Sequence, residues 1–367
     1  MSHHGRKRSM YERFKAQFLK LAKYQGDLFL LCEVIMRILV PGNLDFYDSL
    51  LFCSILENTS PDKEYQFDFR NLGTVEPFGM LIVGAKLRQF VETHPDSIRQ
   101  ALNYEKATYA THMGFFRSFG MKHGKELGTV QGNENFIPIT KIDVQDLREE
   151  ARKNVEHIIE TTEKKAESMA EVLARGETKL IEYLTYSIRE IMRNIVEHSE
   201  AKSIWISGQY WPTKDIVEIA IIDEGVGIQS SLRNNPYLSI KNDEDALLLS
   251  VEPGISGKAF GKMRGQDDWA NSGYGLYMTS SICQNGGSFA ICSNSRALIF
   301  NNEKHKMVET SFRGTAIRMR LKASMVGDLS KKLEELSIEG GKRARDNSKS
   351  AIISASKISR ILVTRRV

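Results

Sequence analysis

Asp223 and two nearby glycines form the most informative pattern in the sequence. The apolar run IAIIDEGVGI at 219–228 predicts a buried strand that ends at Asp223 and continues through Gly225 and Gly227 to Ile228. Glycines let the backbone turn tightly and approach a planar ligand, and a carboxylate can accept a hydrogen bond from an exocyclic amine. The pattern indicates either a binding site for such a ligand or a glycine-rich turn between a strand and a helix.

Glu190 and Asn194 lie four residues apart in a second pattern, SIREIMRNIVEHS. They fall on the side of the predicted helix opposite a buried stripe formed by Ile188, Ile191, Met192, Ile195 and Val196. A carboxylate placed there can polarise a water molecule, and an amide oxygen can hold a hard cation. Charged and amide residues four apart are also common on solvated helix faces.

Two further patterns begin with glycine. In NSGYGLYMTSSICQNGG, Gly273 and Gly275 precede a helix predicted to begin near Leu276, and the N–H groups at a helix start attract anions. The sequence contains no GxxxxGK[ST] phosphate loop. In RGTAIRMRL, Thr315 follows Gly314 at the start of a strand, where its hydroxyl can share a water molecule with Asp223.

A long connection separates the glycine pattern at 225–227 from the one at 273–275. More than forty residues lie between Ile228 and Asn271, which is too long for a passive connection and predicts a lid over a ligand. Its cationic residues Lys258, Lys262 and Arg264 can meet phosphates, although a solvated loop also attracts lysines.

In this order the patterns resemble the GHKL ATPase superfamily, which includes DNA gyrase, mismatch-repair ATPases, sensor histidine kinases and bacterial anti-sigma serine kinases. The resemblance covers about 178–322 and implies an ATP-binding α/β sandwich. It implies that Glu190 is the base that activates water, that Asn194 is the Mg²⁺ ligand, and that Asp223 binds the adenine amino group. It also implies that Gly227 and Thr315 lie beside the adenine and that Gly273, Tyr274, Gly275 and Leu276 give backbone amides to the phosphates. From the patterns themselves we add Gly225, Ile228 and Lys258 as candidate nucleotide-binding residues.

Details of the motifs separate the branches of this superfamily. The string NIVEHS, with His198 after Asn194, is similar to anti-sigma-type ATP-binding proteins rather than to gyrase. Histidine kinases usually carry asparagine where Glu190 stands, and the segment VEHIIE around His157 lacks a phosphoacceptor context. We therefore disfavour a histidine kinase and interpret His198 as a structural residue near the pocket.

The first part of the chain resembles a STAS-like fold, as found in anti-sigma antagonists. The strings that carry this likeness are FDFRNLGTVEPFGMLIVGAKLR, THMGFF and FIPITKI. The position before the first long helix, where such proteins carry a phosphorylatable serine, holds Glu76, Pro77 and Phe78. We therefore predict a scaffold or docking role for this region.

Composition and patterning divide this α/β chain into five segments. They are an N-terminal helical segment at 1–45, a STAS-like domain at 46–142, a connecting helix at 143–177, the ATP-binding domain at 178–325, and a charged helix with a basic tail at 326–367. The strand NFIPIT at 135–140 is assigned to the STAS-like domain. We expect the 143–177 helix to join the two domains or to pair with a second copy in a homodimer.

Composition sets the broad class. The 367 residues are 41% hydrophobic and 26% charged, close to the average of soluble globular proteins. The apolar stretch at 27–40 is shorter than the roughly 20 residues that span a bilayer, and no secretory signal is evident. The four cysteines lie in apolar surroundings without CxxC spacing, so we expect reduced thiols in a cytoplasmic protein.

Charge is concentrated at the C-terminus. The net charge of the chain is +5, and residues 341–367 contain eight Lys or Arg against one Asp. Such a tail can meet nucleic acid, an anionic membrane surface or an acidic partner, or it can simply be solvated.

Three functions fit these observations. The leading hypothesis is a Mg²⁺-dependent ATP-binding and ATP-hydrolysing switch in bacterial signalling or defence, in which lid closure on ATP controls self-association or a protein partner. One alternative is a protein serine/threonine kinase of the partner-switching type. The other is a non-enzymatic nucleotide sensor whose 341–367 tail binds nucleic acid.

Overall fold

The computed structural model describes residues 35–129, 132–257, 273–301 and 304–347. Within these ranges, a small parallel sheet with its helices is followed by a five-stranded antiparallel sheet with a second set of helices. The mixture of helices and strands confirms the predicted α/β class.

The first group of elements, called the first unit below, spans residues 35–118. Its strands are β1 (Ile35–Leu39), β2 (Asn43–Leu44), β3 (Glu64–Asp68), β4 (Thr74–Val75) and β5 (Ile98–Leu102). Its helices are α1 (Phe46–Glu57), α2 (Pro77–Thr93), α3 (Thr108–His112) and α4 (Phe115–Ser118). Strands β1, β3 and β5 form a parallel sheet in that order, and β2 pairs with β4.

The second group contains the larger sheet. Its strands are β6 (Phe136–Asp143), β7 (Ser203–Trp211), β8 (Ile216–Asp223), β9 (Ser288–Asn301) and β10 (Lys304–Lys322), in the order β6-β7-β8-β10-β9. Its helices are α5 (Val144–Lys153), α6 (Ile158–Ala174), α7 (Thr178–Asn194), α8 (Gly227–Arg233), α9 (Asp243–Ser250), α10 (Gly275–Cys283) and α11 (Leu329–Asn347). A π-helical turn, Ile195–Ser199, continues α7.

The start of the described chain differs from the helical segment predicted for 1–45. Residues 35–39 form strand β1, which pairs in parallel with β3, so that Ile38 lies opposite Phe67. A short apolar run such as IMRIL fits a helix or a strand equally well, and the pairing with β3 decides between them. The earlier part of the predicted helical segment, residues 1–34, lies outside the described residues, as do residues 348–367 of the basic tail.

Strand β6 and the helices after it also differ from the prediction. Residues 136–143 pair with β7 in the five-stranded sheet and not with the sheet of the first unit. The predicted connecting helix is two helices, α5 and α6, and α6 packs along α7 through the fully buried residues Ala166, Ala170 and Leu173. Small residues at helical spacing let two helices approach closely, so this stretch is part of the core.

Both faces of the five-stranded sheet are covered. On β8, Val217, Ile219 and Ile221 contribute to the core beneath the helices of the second group, whereas Ala220 and Ile222 join the core of the first unit. This alternation is the period-two pattern of a strand. The first unit therefore packs on the second face, and the sheet is the middle layer of three.

A buried carboxylate fixes the start of α2 to the sheet. Glu218 is fully buried, and its Oε1 accepts a hydrogen bond from the Phe78 backbone N–H at 3.0 Å. Its Oε2 lies 2.6 Å from Nε of Arg320 and 3.4 Å from Nε of Arg318. Arg320 also pairs with Glu76 at 2.7 Å. The helix start that lacks a serine is thus docked against the sheet.

None of the helices in the described ranges is both long enough and apolar enough to cross a membrane.

We expect Glu218→Ala to destabilise the protein strongly, because it removes the carboxylate of the largely buried Arg318 and one of the two carboxylates that pair with Arg320. Removing one partner of a buried ion pair typically costs about 3–5 kcal/mol in the free energy of unfolding, measurable by urea denaturation. The control is Glu309→Ala, which removes the exposed partner of Arg296 and should cost less than about 1 kcal/mol. Equal losses for the two variants would contradict a structural role of the Glu218 contacts.

Candidate nucleotide-binding site

A cleft opens between α7, α8, α10 and the ends of β8 and β10. Many residues singled out in the sequence line it: Asn194, Asp223, Gly227, Ile228, Gly273, Gly275, Leu276 and Thr315. Glu190, Gly225 and Tyr274 are not among the lining residues. Lys258 lies outside the described residues.

Asp223 is a buried carboxyl group at the end of β8. It is 2% exposed, and its Oδ1 accepts a hydrogen bond from the Gly225 backbone N–H at 2.9 Å. Burial raises the pKa of Asp223 to about 7, although hydrogen bonds from Gly225 and Thr315 act in the opposite direction. No cation is among the causes of this shift, so the group is well suited to accept a hydrogen bond from a neutral donor.

Thr315 lies directly opposite Asp223 in the pairing of β10 with β8. The preceding residue, Gly314, has φ +114°, and a Cβ atom at this position would lie 2.1 Å from the Asp223 carbonyl oxygen. Only glycine lets the two strands approach this closely. Ser293 of β9 links this turn to α8, because its hydroxyl donates to the Gly314 carbonyl and accepts from the Ile228 N–H.

Asn194 is the last residue of α7 and lines the cleft. Its side chain is partly buried and makes no hydrogen bond with the other side chains that the structure describes, so its amide oxygen can meet a ligand in the cleft. The π-helical turn that follows ends against the Asp223 turn, where the Val226 N–H donates to the Ser199 carbonyl at 2.9 Å. A Cβ atom on Gly225 would lie 2.0 Å from that carbonyl oxygen, so Gly225 permits this contact and does not line the cleft.

The position of Glu190 differs from the expected exposed helix side. Its side chain is buried, and Nη2 of the buried Arg189 lies 2.6 Å from its Oε1. The reason is that α6 packs on α7 from one side and α10 from another, which buries nearly the whole circumference of α7. A Cβ atom on Gly275 would lie 2.5 Å from Glu190 Oε2, so the carboxylate lies directly behind the backbone that forms the cleft wall.

The start of α10 forms the other wall. The helix begins at Gly275, and within the described residues no side chain caps it. The first N–H groups of a helix have no partner inside the helix and attract anions. Gly273, Gly275 and Leu276 reach the cleft, whereas the Tyr274 ring is fully buried and packs edge-on against Tyr277.

Several lining residues were not predicted from the sequence to contact a ligand. Ile191, Ile195 and His198 line the cleft together with Asn194. Their spacing of three and four residues places them on one helical face, and this pattern could have identified them. Ser231, Ser250 and Ser256 also line the cleft, and no local sequence signal marks them.

The described part of the predicted lid is helical and packed. It contains α8 and α9, and α9 is fixed to β9 through Asp243, whose carboxylate accepts from Asn294 Nδ2 at 2.9 Å and from the Ser295 hydroxyl at 2.6 Å. Residues 258–272, with Lys258, Lys262 and Arg264, lie outside the described residues, and their contacts with phosphate stay a prediction.

A comparison with protein families indicates what kind of domain contains this cleft. Residues 181–325 match the family described as histidine kinase-, DNA gyrase B-, and HSP90-like ATPases. This segment supports a GHKL-type ATP-binding domain. The match includes all the described cleft-lining residues named above. No curated protein matches the chain, and the STAS-like likeness of 46–142 stays a prediction.

The residues of the cleft fit a nucleotide with its magnesium ion. Asp223 offers a buried acceptor, the α10 start offers N–H donors, and Asn194 offers an oxygen without a hydrogen bond among the described residues. The described residues contain no cluster of three His, Cys, Asp or Glu side chains suited to a metal ion. Magnesium commonly takes few protein ligands and is otherwise held by phosphates and water.

We expect nucleotide affinity to depend on the ionisation of Asp223. The base amine donates to the ionised carboxylate, and this group has a raised pKa of about 7 in the free protein. The affinity for ADP should therefore increase with pH, by up to about tenfold per pH unit, and level off above neutrality. Calorimetry across this range measures the dependence.

Asp223→Asn is the matched control for this pH dependence. It preserves the side-chain shape but does not ionise, so its weaker ADP binding should be the same at all these pH values. A flat profile in the unmodified protein would contradict a role for the Asp223 carboxylate in binding.

Proposed function

We propose that this chain binds ATP with Mg²⁺ and hydrolyses it to ADP and phosphate, and that the bound nucleotide acts as a switch. One observation carries the proposal. The cleft brings the Asp223 carboxyl, the Asn194 amide and the start of α10 together, although they are far apart in the sequence. The family match of residues 181–325 supports the same conclusion.

The roles of the binding residues follow from their chemistry. Asp223 and Thr315 bind the amino edge of the adenine, because they are paired side by side at the buried end of the cleft. The backbone amides of Gly275 and Leu276 donate to phosphate oxygens. Bound Mg²⁺, held by the Asn194 oxygen, offsets the negative charge of the phosphates.

Glu190 is the residue that we assign to water activation. Arg189 holds one carboxylate oxygen, and the other lies against the backbone of Gly275 at the phosphate end of the cleft. Arg189 is therefore a positioning residue, because it restricts the rotation of the carboxylate.

The output that we propose is a change in self-association or in contact with a protein partner, in bacterial signalling or defence. One observation disfavours the hypothesis that this chain is a kinase that phosphorylates its own first unit. The start of α2, where a STAS-like protein carries its phosphate acceptor, is buried against Glu218 on the sheet face opposite the cleft.

We expect Glu190→Gln to reduce ATP hydrolysis by about 10²-fold or more, because the amide cannot accept a proton from the attacking water. Affinity for ADP should remain close to that of the unmodified protein. Phosphate release and calorimetry measure the two properties. The control is Glu182→Gln on the same helix, eight residues earlier, which should leave both unchanged. Unchanged hydrolysis in Glu190→Gln would show that another group activates the water.

Incubation with radiolabelled ATP separates hydrolysis from phosphotransfer. We expect label to appear only as inorganic phosphate, and Asp223→Ala should abolish its release because the nucleotide no longer binds. Label on this chain or on an added protein would instead favour the kinase.

A further inference from the structure

The second half of α2 contacts the two backbone turns at the base end of the cleft. Nε and Nη2 of Arg88 donate to Glu224 Oε2 at 3.1 and 2.9 Å. Nε2 of Gln89 donates to the Arg313 carbonyl at 2.9 Å, and Oε1 of Gln89 accepts from the Arg313 N–H at 3.3 Å. Neighbouring residues of one helix thus hold two separate turns.

These turns carry the two side chains assigned to the base. Glu224 directly follows Asp223, and Arg313 precedes Thr315 by two residues. Asp223 and Thr315 are partners in the pairing of β8 with β10. The first unit packs on the opposite face of the sheet, so α2 contacts both turns from outside the cleft.

Gln89 supplies hydrogen bonds that the sheet does not. The pairing of β10 with β9 changes register between Phe312 and Thr315, so Arg313 lies where the ladder is interrupted. The Gln89 amide bonds both the N–H and the carbonyl of Arg313, as a neighbouring strand would. Its contact therefore determines the path of the backbone just before Thr315.

Arg88 is held by more than its ion pair. Its Nη1 donates to the Ser118 carbonyl at 2.5 Å, and its guanidinium lies 3.9 Å from the centre of the Trp205 ring. Both partners of the Arg88–Glu224 pair are about one-fifth exposed. An ion pair whose side chains are restricted and only partly exposed to solvent contributes more to stability than a fully exposed pair does.

We propose that Arg88 and Gln89 are positioning residues of the nucleotide site. The first unit, through α2, keeps Asp223 and Thr315 at the spacing that receives the base, and this rests on the proposed function. Because linkage is reciprocal, nucleotide binding strengthens the docking of α2 by the same factor. The first unit is thereby the element through which the nucleotide state reaches the rest of the chain.

The same helix offers a matched control at its other end. Glu76 precedes α2 and pairs with Arg320 at 2.7 Å, so it also joins the first unit to the sheet. Arg320 lies opposite Glu218 in the strand pairing, five positions along β8 from Asp223. That separation is roughly 16 Å along the strand. Glu76→Gln therefore weakens the interface without contacting the base turns.

The test compares the ADP affinity of Arg88→Met, Glu224→Gln, the double variant and Glu76→Gln, by calorimetry with Mg²⁺. We expect each single variant at the base turns to weaken ADP binding about fivefold or more. The double variant should bind no more weakly than the weaker single variant, because both remove the same contact. Glu76→Gln should bind ADP like the unmodified protein.

Whether Glu224→Gln weakens or strengthens ADP binding distinguishes a positioning role of Glu224 from an effect of its charge alone. The Glu224 charge opposes ionisation of the neighbouring Asp223, so its removal alone would ease ionisation and strengthen base binding. If Glu224 acts through positioning, Glu224→Gln should instead bind ADP more weakly.

If Arg88→Met does not fold, the ADP affinities of Glu224→Gln and Gln89→Glu test the inference in its place. Gln89→Glu replaces the amide that donates to the Arg313 carbonyl, and it should also weaken binding.

The reciprocal effect of ADP on the docking of α2 can be measured as well. ADP should slow hydrogen exchange of the α2 amides at 86–93 in the unmodified protein, and this protection should be smaller in Glu224→Gln. If the unmodified protein binds ADP but the variants at the base turns bind it as well as Glu76→Gln does, the positioning inference is wrong and the proposed function stands. If the unmodified protein binds no ADP, both are wrong.

Discussion

Strand β8 carries two buried carboxylates on opposite faces, and the rest of the structure depends on how each is compensated. Glu218 faces the first unit and is balanced by Arg318, Arg320 and the N–H of Phe78. Asp223 faces the cleft and receives hydrogen bonds from Gly225 and Thr315 with no arginine among its stabilising contacts. A buried charge needs a partner. Glu218 is thus balanced by charge within the protein, whereas the described residues supply Asp223 with hydrogen bonds and no cation.

Glu218 and Asp223 are five positions apart on β8, and this odd-numbered separation places them on opposite faces of the sheet. Side chains five positions apart in a strand point to opposite faces, so a carboxylate in the cleft and one in the interface can share a strand without meeting. The alternating arginines at 318 and 320 on β10 complete the interface face. The five-stranded sheet is consequently a middle layer, and the first unit covers the face that is turned away from the cleft.

The sequence allowed the prediction of strand ends and helix starts that are marked by a local pattern of residues. The strand predicted to end at Asp223 is present, and the helix predicted to begin near Leu276 begins at Gly275. The partner of β6, the strand character of 35–39 and the burial of Glu190 could not be predicted, because each depends on contacts between distant segments. Arg88 and Glu224 are 136 positions apart, and Gln89 and Arg313 are 224 apart. Contacts between residues so far apart cannot be predicted from a local sequence pattern.

These contacts account for the residues at the start of α2, where the predicted STAS-like likeness would place a phosphorylatable serine. Phosphate at this position would bring negative charge beside Glu218 and Glu76, and burial together with the Glu218 charge already raises the pKa of Glu76. A helix start that binds a buried carboxylate through its own N–H has no room for a second anion. At this end of α2 the first unit is therefore held to the sheet by the buried Glu218 carboxylate and by the ion pair of Glu76 with Arg320.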